Sequence, residues 1–169
     1  MNRLAWFASA LLLGAAGAVT AAPAAGRIAE GTLLPEATLH GLNGLSLPLS
    51  SFRGKPLIIN MWASWCGPCR QEWESLERLA WRDTGTRFAI IGISTDDDPQ
   101  AALAWLRATH ATLGQFIDQG LQMEHMLGAD RLPLTVLVSA DGRVLRRVYG
   151  ARDWDSEESR RMIEAAFRR

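Results

Sequence analysis

The sequence predicts an α/β domain, a mixed β-sheet flanked by helices, and three observations carry that prediction. Two apolar runs, P-L-I-I-N-M-W (56–62) and R-F-A-I-I-G-I-S (87–94), are too short for helices and read as strands buried on both faces. Each is followed by a stretch with apolar residues at helical spacing. Near the end, L-T-V-L-V (134–138), an Asp141-Gly142 turn and R-V-L-R-R-V-Y (143–149) read as a β-hairpin before a last helical stretch. Strands that alternate with helices and then close in a hairpin build one mixed sheet with helices on its faces.

The elements follow in order. Arg3 precedes L-A-W-F-A-S-A-L-L-L-G-A-A-G-A-V-T-A-A, a basic start, an apolar core and a small-residue exit. That is the pattern of a secretory signal over residues 1–22, with cleavage near Ala21 or Ala22. An uncleaved membrane anchor is the alternative, since about 20 apolar residues can span a bilayer. Either way the rest of the chain is expected to leave the cytoplasm, and the periplasm is the expected location. The domain proper then covers residues 27–169. Gly26 to Lys55 is loop-rich, with a small hairpin expected to turn near Asn43-Gly44. A helix is expected from Cys66 to about Trp81, with Cys69, Trp73, Leu76, Leu79 and Ala80 along one stripe. T-D-D-D-P opens the next helix, with Asp98 as N-cap and Pro99 at its first position. After Ala101–Thr109 come a short run, Q-F-I-D, and helical spacing near Leu121–Leu127, a βα insertion before the final hairpin. The last helix is expected to start near Asp155, with Glu157 and Glu158 in its first turn and arginines in its last, charges that suit the helix dipole.

At 169 residues, 48 % of them hydrophobic, the chain is long enough for one domain with a sizeable core. No internal repeat or long linker divides it. Eighteen basic residues balance eighteen acidic ones. No basic stripe is evident, so nucleic acid is not an expected partner. His40, His110 and His125 are scattered beside apolar segments and read as ordinary surface or half-buried histidines.

The only two cysteines, Cys66 and Cys69, lie in W-A-S-W-C-G-P-C (62–69). As a staple the pair does little, because in the chain-entropy picture so short a loop contributes about 2 kcal/mol. As a structural zinc site it lacks the second pair of ligands. A copper site using both thiols and one distant histidine stays open. So does a module that binds unfolded exported chains without using the thiols. The redox reading fits the local physics best. A buried strand ends and a helix begins at the pair, so unpaired N–H groups and the dipole favour a thiolate at Cys66. Pro68 is tolerated in the first turn, where its missing N–H costs nothing. Cys66 is then the exposed nucleophile, and Cys69, one turn in, resolves the mixed disulfide.

W-C-G-P-C after a buried strand is similar to thioredoxin. The fuller resemblance is to the exported TlpA/ResA-like thioredoxin-fold thiol–disulfide oxidoreductases, over roughly Gly31 to Phe167. It rests on L-S-S-F-R-G-K-P-L-I-I-N, on C-G-P-C-R-Q-E, on the inserted strand and helix, and on L-P-L-T-V-L-V-S-A-D-G-R-V. The resemblance implies a thioredoxin-like fold and a cis-proline at Pro133 facing the cysteines. Pro133 and Trp65 become candidate client-binding residues. It also implies reduction of oxidised protein thiols, such as those of apocytochrome c or copper-site proteins, recharged by a membrane thiol donor. No nucleotide or metal cofactor is implied. The Gly-Pro spacer matches thioredoxin, whose potential is about −270 mV, rather than the oxidant DsbA at about −120 mV. Three positions depart from the pattern. Asn60 stands where thioredoxin has a buried Asp, Glu74 replaces a helix-kinking Pro, and Leu134 replaces the Thr usual after the cis-proline.

Glu72 is the remaining candidate. Cys69 must lose a proton beneath the surface, and Asn60 cannot accept it. Glu72 lies three residues further, on the same helix face. Trp73 and Leu76 continue that face, which would keep the carboxyl partly dry and raise its pKa. The resemblance also implies a glutamate at this position. The competing expectation is a solvated first-turn acid that helps the dipole.

Overall fold

The computed structural model describes residues 26–83 and 87–168, so the expected signal segment lies outside the described residues. Among these, no helix is long and apolar enough to cross a membrane. Strands β1 (Thr38–Gly41) and β2 (Leu47–Pro48) form the N-terminal hairpin, and a single 3-10 turn over Leu49–Phe52 follows. Then come β3 (Leu57–Trp62), α1 (Gly67–Asp83), β4 (Ala89–Ser94), α2 (Pro99–Ala108), β5 (Gly114–Ile117) and α3 (Gln122–Leu127). The chain ends with β6 (Leu134–Val138), β7 (Val144–Tyr149) and α4 (Glu157–Phe167). The strands form one sheet in the order β2-β1-β5-β4-β3-β6-β7. Pairs β3/β4 and β4/β5 are parallel, and β3/β6, β6/β7 and β1/β5 are antiparallel. This is the thioredoxin-like α/β fold with a mixed central sheet.

The central place of β3 explains its unbroken apolar run. Every residue from Leu57 to Trp62 is buried. Side chains alternate between the faces. Leu57, Ile59 and Met61 join a core with α3 and the N-terminal segment, including Leu39, Met123 and Leu127. Ile58 packs on the other side with Leu76 and Leu79 of α1 and Ile163 of α4. Asn60 and Trp62 share the parity of Ile58, which aims a polar side chain and an indole at the helix carrying the cysteines. Fully burying an aliphatic side chain such as Ile58 or Ile59 stabilises the fold by about 1.5–3 kcal/mol.

Caps set the helix starts. The Asp98 carboxylate accepts from the Gln100 N–H at 2.9 Å, with Pro99 in the first turn as expected. Helix α4 starts at Glu157, two residues after the expected Asp155, and is capped by the Ser156 hydroxyl, which accepts from the Ser159 N–H at 3.2 Å. Its last turn holds no basic residue, because Arg168 falls at the C-cap.

The N-terminal hairpin differs from a tight Asn-Gly turn. Residues 42–46 form a longer loop, in which the Asn43 amide reaches across to β5. It donates to the Leu113 carbonyl at 2.9 Å and accepts from the Gln115 N–H at 2.8 Å. At the other edge of the sheet the segment before β1 lies along β7. The Gly31 N–H donates to the Val144 carbonyl at 2.7 Å, and the Arg147 guanidinium holds the carbonyls of Leu127 and Ile28. An edge strand that would otherwise present unpaired backbone is thereby covered.

Candidate active site

The loop from β3 to α1 is held from two sides. The Ser64 N–H and hydroxyl donate to the Asp96 carboxylate at 2.9 and 2.7 Å, and the Ser94 hydroxyl donates to it at 2.7 Å. Asp96 follows β4 and is buried. From the other side Arg70 of α1 donates to the Ser64 carbonyl through Nε at 3.2 Å and Nη2 at 2.7 Å. These bonds tie the residues before Cys66 to the end of the neighbouring strand and to the first turn of the helix. Within T-D-D-D-P the acids therefore divide between anchoring the loop and capping α2.

Cys66 and Cys69 form a disulfide at the N-terminus of α1. Cys66 accepts the first helical bond, from the Arg70 N–H at 3.3 Å, and its Sγ accepts from the Cys69 N–H at 3.2 Å. An N–H aimed at sulfur at the positive end of a helix favours the charged form once the disulfide opens. The expectation of an exposed Cys66 needs correction, since it is 4 % exposed, against 1 % for Cys69. In the disulfide form its side chain turns into a cluster of Trp62, Ala63, Trp73 and Trp105, with Leu132 packed against it. The three indoles pack in tilted and edge-to-face arrangements with ring centroids 4.6–5.8 Å apart. Trp62 is fixed further by donating Nε1 to the Gln115 side-chain oxygen at 2.9 Å.

Trp65, between the anchored Ser64 and Cys66, is 70 % exposed. The Leu132–Pro133 peptide is cis. Leu132, just before β6, packs on the apolar cluster that contains both cysteines, and the Pro133 carbonyl accepts from the Gly150 N–H at 2.9 Å.

Glu72 is 1 % exposed, which excludes a solvated first-turn acid. Its Oε1 accepts from Asn60 Nδ2 at 2.8 Å, and the same amide donates to Thr135 Oγ1 at 3.0 Å. Asn60 and Thr135 are paired across β3 and β6, so register places both under the helix. Its Oε2 accepts from Trp154 Nε1 at 2.9 Å and from the Arg152 N–H at 3.3 Å. Burial pushes the carboxyl up to about 7, and the donated bonds from Trp154, Asn60 and Arg152, with the Arg152 charge, restrain the rise. A carboxyl poised there, one turn beyond Cys69, can take or give a proton at neutral pH.

The sequence reading missed Asp96, Arg70 and Trp154 as supports of the site. Asp96 was hidden in a run that capping alone explained. Trp154 sits between the last hairpin and α4 without periodic neighbours, and nothing local marks it. The histidines are exposed and lie on separate elements, His40 in β1, His110 after α2 and His125 in α3. Among the described residues no three His, Cys, Asp or Glu side chains group as metal ligands.

Residues 29–163 match the Redoxin family. The chain is 34 % identical over 117 residues to the thiol:disulfide interchange protein DsbE of Pseudomonas fluorescens biotype C, covering 69 % of this chain and 62 % of that one. It is 24 % identical over 123 residues to the thiol-disulfide oxidoreductase ResA of Bacillus subtilis (strain 168), covering 73 % and 69 %. A crystal structure from Chlorobium tepidum, of a protein assigned as a thiol:disulfide interchange protein DsbE, superimposes with a TM-score of 0.75. Its sequence identity is 27 %, and the match covers 82 % of this chain and 98 % of that one. The chain belongs to the Redoxin family and is a thiol–disulfide oxidoreductase of the ResA/DsbE type.

Proposed function

We propose that the protein is an exported reductase of protein disulfides. In the working cycle the Cys66 thiolate attacks one sulfur of a client disulfide. A Cys66–client disulfide forms, and the other client sulfur leaves as thiolate. Cys69 then passes its proton to the Glu72 carboxylate and attacks Cys66 Sγ. This re-forms the Cys66–Cys69 disulfide and releases the second client thiolate. Two electrons pass from protein to client. A membrane thiol donor, itself oxidised to a disulfide, returns them to the protein. Trp65 and the backbone around Pro133 hold the extended client chain, since a proline starting a strand leaves neighbouring backbone free to pair with a peptide. Clients of this chemistry are exported chains with oxidised thiols, such as apocytochrome c or copper-site proteins.

The observation that carries the reading is the Cys66–Cys69 disulfide at the N-terminus of α1, with the buried Glu72 carboxyl three residues beyond Cys69. Export is supported by the signal pattern of residues 1–22, and the reducing direction by the Gly-Pro spacer. The test is trapping. Cys69→Ser should accumulate a mixed disulfide with a client in the periplasmic fraction of an exporting host, and Cys66→Ser should accumulate none. Equal trapping by both variants would remove the assignment of nucleophile. In the same preparations the wild-type potential should lie well below about −200 mV, and a value near that of DsbA would reverse the direction.

A further inference from the structure

Glu72 is reached from a part of the chain that the dithiol motif does not include. The segment between β7 and α4 folds back over α1. There the Trp154 indole N–H lies 2.9 Å from Glu72 Oε2, and the Arg152 N–H is 3.3 Å from the same oxygen. Trp154 is completely buried. Its own backbone N–H donates to the Ser75 hydroxyl at 2.9 Å, and that hydroxyl donates to the Glu72 carbonyl at 2.6 Å. The indole is thus fixed to the same turn of helix whose carboxyl it touches.

We propose that Trp154 is a positioning residue for the dithiol chemistry, whose indole N–H holds Glu72 Oε2 toward the C-terminal segment and sets how readily that carboxyl takes the Cys69 proton. The inference rests on the reading of Glu72 as proton acceptor. A donor to a carboxylate favours the charged form, because the protonated acid gains less from the same N–H. Without that donor the carboxyl holds its proton more tightly and is a poorer sink at neutral pH. The opposite oxygen is served differently. Asn60 divides its amide between Glu72 Oε1 and Thr135 Oγ1, whereas Trp154 gives its single N–H to Glu72.

The groups facing Glu72 make its titration readable. On β3 and β6 they are Asn60 and Thr135, both neutral. From the segment before α4 come the neutral indole and Arg152, whose Nη2 also pairs with Glu158 of α4 at 3.0 Å. On α1 itself Cys69 is bound in the disulfide and does not titrate in this form. In the oxidised protein a carboxyl titration near pH 7 at this position therefore belongs to Glu72 without coupling to a thiol.

The experiment is a carbon-13 titration of the glutamate carboxyls in the oxidised protein, wild type beside Trp154→Phe. Phenylalanine keeps a ring beneath Arg152, which lies 5.7 Å from the indole, and keeps the backbone bond to Ser75. The expected result is a Glu72 midpoint about one pH unit higher, a tenfold gain in proton affinity. The pH profile of client reduction should move up by a similar amount. An unshifted midpoint overturns the proposal whatever the rates do. A shifted midpoint with an unmoved rate profile leaves the tuning by Trp154 in place and instead sinks the reading of Glu72 as proton acceptor. Should Trp154→Phe fail to fold, the wild type decides. The Trp154 indole N–H resonance should then titrate with the Glu72 midpoint, and a flat response overturns the proposal.

Discussion

Asn60 shows how one atom changes the chemistry of a buried site. Its Nδ2 donates to Glu72 Oε1 at 2.8 Å, so an aspartate there would place two carboxylates at hydrogen-bonding distance. Both cannot ionise together in that environment, and the pair would share a proton and titrate in two coupled steps. For Asn60→Asp the expected outcome is one step well above 7, a client-reduction profile displaced to alkaline pH, and a loss of stability that grows as pH rises. Glutamate-carboxyl NMR and urea midpoints at pH 6 and pH 9 would measure both effects. An unchanged midpoint difference between the two pH values would show that the carboxylates do not meet. The cysteines and Glu72 were legible because helical spacing relates Cys66 to Cys69, and Cys69 to Glu72, within one turn each. Trp154 was not, because it reaches Glu72 across 82 positions of sequence and no local pattern announces such a contact.

The same division holds for elements. Strands β3 and β4 and helices α1 and α2 were readable because apolar period, length and capping residues act locally. The N-terminal region was legible as a hairpin but not in detail. Its loop is shaped by Asn43 bonding to β5, and the 3-10 turn over Leu49–Phe52 carries no periodic signal. Packing between β4 and β5 leaves no room for a side chain at Gly92. Gly92 and Gln115 are cross-strand partners, and a Cβ on Gly92 would come within 2.1 Å of the Gln115 side-chain oxygen. That oxygen accepts the Trp62 indole N–H at 2.9 Å, and Gln115 is 1 % exposed. Gly92→Ala would therefore push the amide off Trp62 and leave a buried donor unpaired. The expected cost is about 1–3 kcal/mol in a urea melt. An altered tryptophan emission should accompany it, since Trp62 packs at a tilt against Trp73 and Trp105. A melt coincident with wild type would show that the sheet absorbs the methyl without moving Gln115.

Over the whole molecule the sheet order puts β3 in the interior, with α1 and α4 packed on one face and α3 with the N-terminal segment on the other. Glu72 is enclosed where α1, β3, β6 and the segment before α4 meet, so its titration is felt by folding as a whole. Burial raises its pKa to about 7, from an ordinary value of 4.5 that the unfolded chain retains. Between these pH values the folded protein holds a proton that the unfolded chain has released. Stability from this group is therefore greatest below about pH 4.5, falls as pH rises toward about 7, and is level above that. The shift corresponds to about 3 kcal/mol in favour of acid conditions. Glu72→Gln removes the titration. Its neutral amide also turns an NH2 toward the Asn60 or Trp154 donor, a penalty that does not vary with pH. The diagnostic quantity is thus how the difference between variant and wild type changes with pH. Urea unfolding of the oxidised proteins at pH 4.5 and pH 8 should show the variant gaining about 3 kcal/mol relative to wild type at the higher pH. A difference that stays constant across this range would mean that Glu72 does not change its proton there on folding.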